Sequence, residues 1–383
     1  IGGQWLSKAS AEKSRIGNYY KKMGKKCLEN NMCKLVQQDG SFSQNSVNYH
    51  RLLVDTLCQV EIWRIFFDDN LFSTKFIQRC KLAIEWLEVF VDPLTGKSPN
   101  LGANDGAFCY QLNSLPFNNF KSTLQLSNFL FKNKMFYSPG PWNEALYVLG
   151  FQYESLYEKK DALSKLNGAF KNKKKIIYFP EGGYVVIKVN DISWSLLRLP
   201  RYKFRPSQCD PLHFDLWNNG ENILRDGGTF SYNTSNYLMN YFSGIQSHNT
   251  IQFDEFNPMP KISRFLWGSW LKTESEPTFI NKKSFKQVSS SYNCKFGRHK
   301  RTVKVDYLGS NWEIIDEISG SFNIATLRWR LCDRNWIIMG ESIISKGIKI
   351  KVKCNSQISS FKLNTGLESS YYQTINKLKV LEI

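Results

Sequence analysis

Four histidines, His50, His213, His248 and His299, are all the imidazole that 383 residues carry, so any histidine chemistry must draw on them. The segment DGSFSQNSVNYHRLLVDTL (39–57) feeds Tyr49, His50 and Arg51 from a polar loop into the start of an apolar helical pattern. A phenol beside an imidazole is a proton-handling pair. The phenol titrates near ~10 unless positive charge stabilises its phenolate, as Arg51 and a basic chain would help to do. The same residues also suit a helix start that packs and does nothing more. A second set lies in FRPSQCDPLHFDLWNNGENILRDGGTFSYN (204–233) and YFSGIQSHNTIQFD (241–254). Asp210, Asp226 and His248 are ligand types for a hard or borderline metal, placed where strands should end. His213 alternates with Asp215 along one such strand; a satisfied core or edge position is the plainer reading, and its face stays open. No GxGxxG opening a helix after a strand, no P-loop, no HExxH and no GxSxG occurs, which disfavours dinucleotide, nucleotide-hydrolase, zincin and esterase chemistry.

The elements that must position these groups change character along the chain. From His50 to Phe67 apolar residues recur every three or four positions (Leu53, Leu57, Val60; Leu52, Trp63, Phe67), the spacing of a helix with a broad buried face. Ser73 suits an N-cap for a second helix through Phe76, Ile77, Cys80, Ile84, Leu87 and Val91, ended by Pro93. Further helices are expected near 11–38, 121–135 and 142–165, as antiparallel pairs joined by loops such as SPNLGANDGAF (98–108). Asp39-Gly40 and Asn104-Asp105-Gly106 are turn chemistry. At FKNKKK (170–175), read as a linker, the period changes. Beyond it YVVIKV (184–189), SWSLLRL (193–199), LHFDLW (212–217), HNTIQFD (248–254), RTVKVDY (301–307), WEIIDEI (312–318), ATLRWRL (325–331) and IKIKVK (348–353) alternate with period two. Such patterning, with turns like Asp226-Gly227-Gly228, predicts a large antiparallel sandwich. The expected class is α+β multidomain, helices first and strands after.

Composition bounds the rest. With 42% hydrophobic and 22% charged residues the chain reads as a folded protein of about two domains, and no apolar run approaches a membrane span. Fifty-six aromatic residues (11 Trp, 18 Tyr, 27 Phe) suffice for a core and for sugar-stacking surfaces. A net charge of +18 would gather a polyanion. Nucleic-acid binding rests on that charge alone and is set aside, because the basic residues are dispersed. Nine cysteines, an odd number without a CxxC pair, read as thiols, most of them buried. The first residue is Ile1 with no leader pattern, so export is not legible.

Over nearly its whole length the sequence resembles the heparinase II/III family of polysaccharide lyases, including related alginate lyases. DGSFSQNSVNYHR (39–51) and NLGANDGA (100–107) match its helical part; LHFDLWNNGENILRDGGTFSYN (212–233), YF and HNTI (241–251) and GRHKRTV (297–303) match its carboxyl-terminal part. The resemblance implies an incomplete (α/α) toroid over 1–168 followed by an antiparallel β-sandwich over 176–383. It implies a periplasmic, cell-envelope or extracellular bacterial carbon-oxygen lyase acting on uronic-acid-containing polysaccharide, glycosaminoglycan or alginate. The implied reaction is β-elimination: a base removes the C5 proton, the uronate carboxylate is neutralised, and an acid protonates the leaving O4.

Carried over residue by residue, Tyr49 is the acid and base, and His50 orients it. Asn104, Asp105, Arg205 and Gln208 lie near substrate. The family's His-x-His-x-Asp stretch, aligned on Asp210, places Pro206 and Gln208 where a catalytic His and a zinc ligand stand. Asp226 and His248 occupy the other two ligand positions, and two ligands with an amide make a poor zinc site. His213, three residues beyond Asp210, could replace the missing catalytic imidazole if its strand points it into the cleft. The family's Asn/His motif upstream of DGSF is absent, which implies a chain truncated at its amino-terminal side. The resemblance thus predicts that the Tyr49 phenol faces, across a groove, the strand wall bearing His248 and Asp226. A catalytically degenerate carbohydrate-binding or polysaccharide-assembly protein on the same fold is the alternative.

Overall fold

The computed structural model of the chain describes residues 1–9, 11–153 and 175–383. It groups into two compact units. Of the described residues, the first holds 1–43, 49–91 and 107–153; the second holds 44–48, 92–106 and everything from 175 onward.

The first unit is helical: α1 (Gly2–Ala9), α2 (Ala11–Leu35), α3 (Val47–Phe66), α4 (Thr74–Phe90), α5 (Lys121–Lys132) and α6 (Glu144–Val148). The Ser73 cap is present, its hydroxyl accepting the Phe76 N–H at 3.3 Å. α3 opens at Val47, three residues before the apolar periodicity begins, and the boundary between the units falls inside it, between Asn48 and Tyr49. A helix over 142–165 is not what forms within the described part. α6 stops at Val148, where Gly150 turns left-handed (φ +71°) and the Phe151 N–H returns to Leu146 O at 3.0 Å. The remainder of that stretch, and the 170–174 part of the expected linker, lie outside the described residues; Lys175 already opens a strand. α1, amphipathic but only eight residues long and opening on two glycines, was not anticipated from the sequence.

The second unit is antiparallel sheet. β1 (Lys175–Phe179), β2 (Tyr184–Lys188), β3 (Ser193–Arg198), β4 (Phe214–Asn218) and β5 (Glu221–Leu224) pair in sequence order. Asn219 and Gly220, both at positive φ (+50° and +76°), form the two-residue β4–β5 hairpin that an Asn-Gly pair encodes. After helix α7 (Asn236–Ser243) come β6 (Ile251–Phe253), β7 (Lys261–Ser263), β8 (Leu266–Trp267) and β9 (Thr278–Asn281). Next are β10 (Phe285–Asn293), β11 (Gly297–Asp306), β12 (Trp312–Gly320) and β13 (Ala325–Arg330). Then follow β14 (Ile337–Met339), β15 (Ser342–Ser345), β16 (Ile348–Lys351), β17 (Lys362–Glu368) and β18 (Asn376–Glu382). Their sheets run β12-β11-β10-β9, β17-β18-β13-β6, β14-β15-β16 and β7-β8. One core draws Val185 and Ile187 from β2, Leu197 from β3, Phe214 from β4, Val288 from β10, Val303 and Val305 from β11, and Trp329 from β13.

Four of the nine cysteines are buried, Cys58, Cys80, Cys209 and Cys332, so burial is not the rule expected of them; all nine are thiols. Among the described residues no helix is long and apolar enough to cross a membrane.

Candidate active site

Within the second unit, His213, Asp226 and His248 converge with their ligand atoms within 4.8 Å of one another, all three fully buried. His213 stands just before β4 rather than in it, because Leu212 takes a left-handed turn (φ +55°) ahead of the strand. Asp226 Oδ2 lies 2.7 Å from His248 Nδ1, and its Oδ1 accepts the Gly228 N–H at 2.8 Å. His213 Nε2 lies between Asp215 Oδ2 at 3.5 Å and Asp226 Oδ2 at 3.6 Å. Burial drives both carboxyls up. In Asp226 the charge and hydrogen bond of His248, with His213 and the Gly228 N–H, outweigh it and hold the group below the usual carboxylate range. In Asp215 burial wins over His213. Of the two acids around one imidazole, Asp226 is therefore the one whose charged form its surroundings favour.

The cluster is held by two residues, Asn249 of the HNTI segment and Arg301 of the GRHKRTV segment, to which the sequence reading gave no role. Asn249 donates its backbone N–H to His213 Nδ1 at 2.9 Å and its amide to Phe214 O at 2.9 Å, and accepts the Arg330 N–H at 2.6 Å. Arg301, fully buried on β11, donates to Leu212 O (2.7 Å) and Asn249 O (2.6 Å), the carbonyls just before His213 and just after His248. Its other face forks onto Asp316 of β12 at 2.7 and 2.9 Å. A signal did exist: Arg301 shares strand parity with Val303 and Val305, both fully buried. Asp210 does not join the cluster. It accepts the Tyr202 hydroxyl at 2.7 Å and lies 3.6 Å from the buried Arg198.

These donors do not fit zinc. Gln208 is committed to backbone at both ends of its amide, accepting the Gly102 N–H at 2.9 Å and donating to Gly228 O at 3.0 Å. His213 Nδ1 accepts a backbone N–H, so the proton of the neutral ring sits on Nε2, which then has no lone pair to give a metal. Asp226 and His248 alone fall short of the roughly four donors that zinc takes. Dialysis against a chelator is accordingly expected to leave the melting temperature unchanged, and inductively coupled plasma analysis to find zinc well below one equivalent per chain.

Gln208 instead straps two tight turns together. Gly102 (φ +79°) and Gly228 (φ +78°) lie so close to backbone that an added Cβ would come within 2.2 Å of Asn45 O and 2.3 Å of Ser369 O, respectively. The same loop carries Asn104, buried and closing a turn onto the Gly106 N–H at 2.9 Å, and half-buried Asp105. Arg205 is exposed, 6.0 Å over the Phe265 ring.

In the first unit Tyr49 is half-buried in the first turn of α3. The next residue, His50, is fully buried: its Nε2 is 2.7 Å from Ala83 O and its ring stacks on Trp86 at 4.2 Å. Arg51, expected to support a Tyr49 phenolate, has its guanidinium 4.0 to 4.9 Å from the Phe117, Phe120 and Phe108 rings, because helix neighbours fan out to different faces. Burial lowers the His50 pKa from 6.5 to about 4, against the pull of Ala83 O. Between those values the unfolded chain holds the extra proton, so acidification from pH 7 to pH 4 should cost the parent roughly 3 kcal/mol relative to His50→Gln. Denaturant titrations of both proteins at pH 7 and pH 4 measure that difference; a gap that does not change with pH removes the effect.

Among the described residues, six helices of the first unit precede the antiparallel sheets, and the sheet unit holds the buried His213–Asp226–His248 cluster. The profile of the heparinase II/III-like C-terminal domain matches residues 171–369, and the chain belongs to that family. In solved structures the chain is similar to the heparan sulfate lyase HepC of Pedobacter heparinus, at TM-score 0.68 and 16% identity, covering 96% of this chain and 53% of that one. It is also similar to a heparinase III gene product (TM-score 0.70, 17% identity, 100% and 56% covered) and to another heparinase III (0.63, 16%, 99% and 57%). The chain thus spans little more than half the length of these proteins, and the likeness is one of fold, mixed helix and antiparallel sheet. No curated protein matches it.

Proposed function

We propose that the chain is a polysaccharide lyase that cleaves uronic-acid-containing polysaccharide by β-elimination, built as an incomplete (α/α) toroid over 1–168 and an antiparallel β-sandwich over 176–383. In the reaction the C5–H bond is broken by a base, its electron pair forms the C4=C5 double bond, and the C4–O4 bond breaks as the leaving oxygen takes a proton. Tyr49 supplies both proton transfers, as phenolate base and then phenol acid. His50 acts as a positioning residue, its ring locked beneath the turn that carries Tyr49. His213 replaces the imidazole that Pro206 cannot provide as a positioning residue, its buried Nε2 turned to Asp215 and Asp226. Asn104, Asp105 and Arg205 contact substrate, and Gln208 holds the loop on which the first two stand. Asp226 and His248 act as a hydrogen-bonded pair and not as zinc ligands. With such a substrate the protein would work in the periplasm, at the cell envelope or outside the cell.

The observation that carries this reading is the His213–Asp226–His248 cluster lying inside the family match, with Asn249 and Arg301 fixing the backbone on both sides of it. Incubation with heparan sulfate, hyaluronan, chondroitin and alginate should raise the ultraviolet absorbance of the unsaturated uronate with at least one of them. A second reading, a catalytically degenerate carbohydrate-binding or polysaccharide-assembly protein, is favoured by the complete burial of all three cluster side chains. Measurable sugar binding with flat absorbance for every polymer would establish it and overturn the lyase.

A further inference from the structure

We propose that a groove of about 900 Å³ on the second unit, whose lining includes Phe256, Trp270, Lys261, Lys272 and Lys295, binds an acidic saccharide at a site separate from the His213–Asp226–His248 cluster. None of the groove's lining residues belongs to that cluster. Its volume is at the upper end of the range for small-ligand sites and would take a short oligosaccharide.

The aromatic part of the lining suits a ring. Phe256 stacks almost parallel on Phe296, centroids 4.7 Å apart and planes 5° apart, yet stays 54% exposed, so one large apolar face is turned to solvent. Trp270 spends its indole N–H on Trp267 O at 2.6 Å and is left as an apolar platform. Flat faces of this kind pack against the C–H faces of pyranose rings. The charge is complementary to an acid. Among the described residues neither Lys272 nor Lys295 pairs with a carboxylate. Lys261 is held only by neutral oxygens, Ser243 Oγ at 2.7 Å and Asn240 Oδ1 at 3.0 Å foremost. The one carboxylate of the lining, Glu274, is already bound by Arg298 at 2.7 Å and Asn293 at 2.6 Å. Three cations set among neutral polar side chains (Asn257, Ser269, Asn293) beside two aromatic rings suit an anionic saccharide, whose rings bring both charge and C–H faces. The wall is rigid: Asn257 accepts the Ile245 N–H at 2.8 Å and Lys261 reaches back to Ser243, on the segment that runs to His248.

Calorimetric titration of the full chain with a size-defined heparan sulfate octasaccharide tests the site. Lys272→Ala with Lys295→Ala, and separately Phe256→Ala, are each expected to weaken binding at least 10-fold while the melting temperature stays within the error of the parent, since all three side chains are exposed. Unchanged affinity in both variants overturns the proposal. So does equal binding of a carboxyl-reduced, desulfated octasaccharide, or equal or tighter binding of oligodeoxythymidine that the same variants abolish. Binding that persists in Tyr49→Phe and falls in the groove variants supports the site whether or not any polymer is cleaved, so this proposal and the lyase reading fail independently.

Discussion

Tyr49→Phe should lower turnover of the cleaved polymer at least 100-fold, equivalent to about 3 kcal/mol of lost transition-state stabilisation, with the protein still folded. The change removes one oxygen and keeps the ring, so folding loses at most a hydrogen bond worth about 1 kcal/mol. Elimination needs a group that takes the C5 proton and another that gives one to O4. If one phenol does both, its loss disables two steps of the same reaction. The measurement is the initial rate of absorbance increase for parent and variant at saturating substrate, with a thermal melt of each. Full turnover by Tyr49→Phe would remove the tyrosine from the mechanism.

Arg301→Leu should destabilise the second unit by about 3–5 kcal/mol, the largest stability effect expected from any single substitution in the site. The guanidinium satisfies both oxygens of Asp316 and the carbonyls of Leu212 and Asn249, and its Cζ lies 5.0 Å from the Trp329 ring. Leucine fills part of the volume but strands a carboxylate held far below its usual range, where the Arg301 charge and the His299 hydrogen bond overcome burial. Arg301→Lys should recover only part of the loss, because one ammonium cannot span a carboxylate and two carbonyls in the plane of the fork. Denaturant unfolding followed by tryptophan fluorescence gives the two values. A loss below about 1 kcal/mol for the leucine variant would mean that the His213 and His248 backbones are held by something other than this arginine.

Tyr49 and Arg301 differ in how the sequence announces them. Tyr49 stands in a motif, followed by an apolar helix pattern, and the helix forms with its start displaced by three residues. Arg301 stands in an alternating strand, where a basic residue reads as solvent-facing although its parity with Val303 and Val305 says otherwise. The strands of the 184–189 and 301–307 segments were legible because apolar, β-branched runs are local information, although burial breaks its alternation within the latter strand and runs through consecutive positions in the former. Short strands such as β5, β7 and β8 and the carboxyl-terminal pair β17–β18 were not, since their pairing partners, more than their own pattern, make them strands.

By itself the sequence determined that helices come first and antiparallel strands after, and that only four imidazoles are available. Those are matters of residue type and spacing, which the chain carries locally. The tertiary structure decided which side chains share a site. It seated Gln208 on two backbone groups, drew Asp210 off to Tyr202 and Arg198, and set the Asn249 N–H against His213 Nδ1, because partners that lie 8 to 106 residues apart, on different strands and loops, meet only when the sheets close.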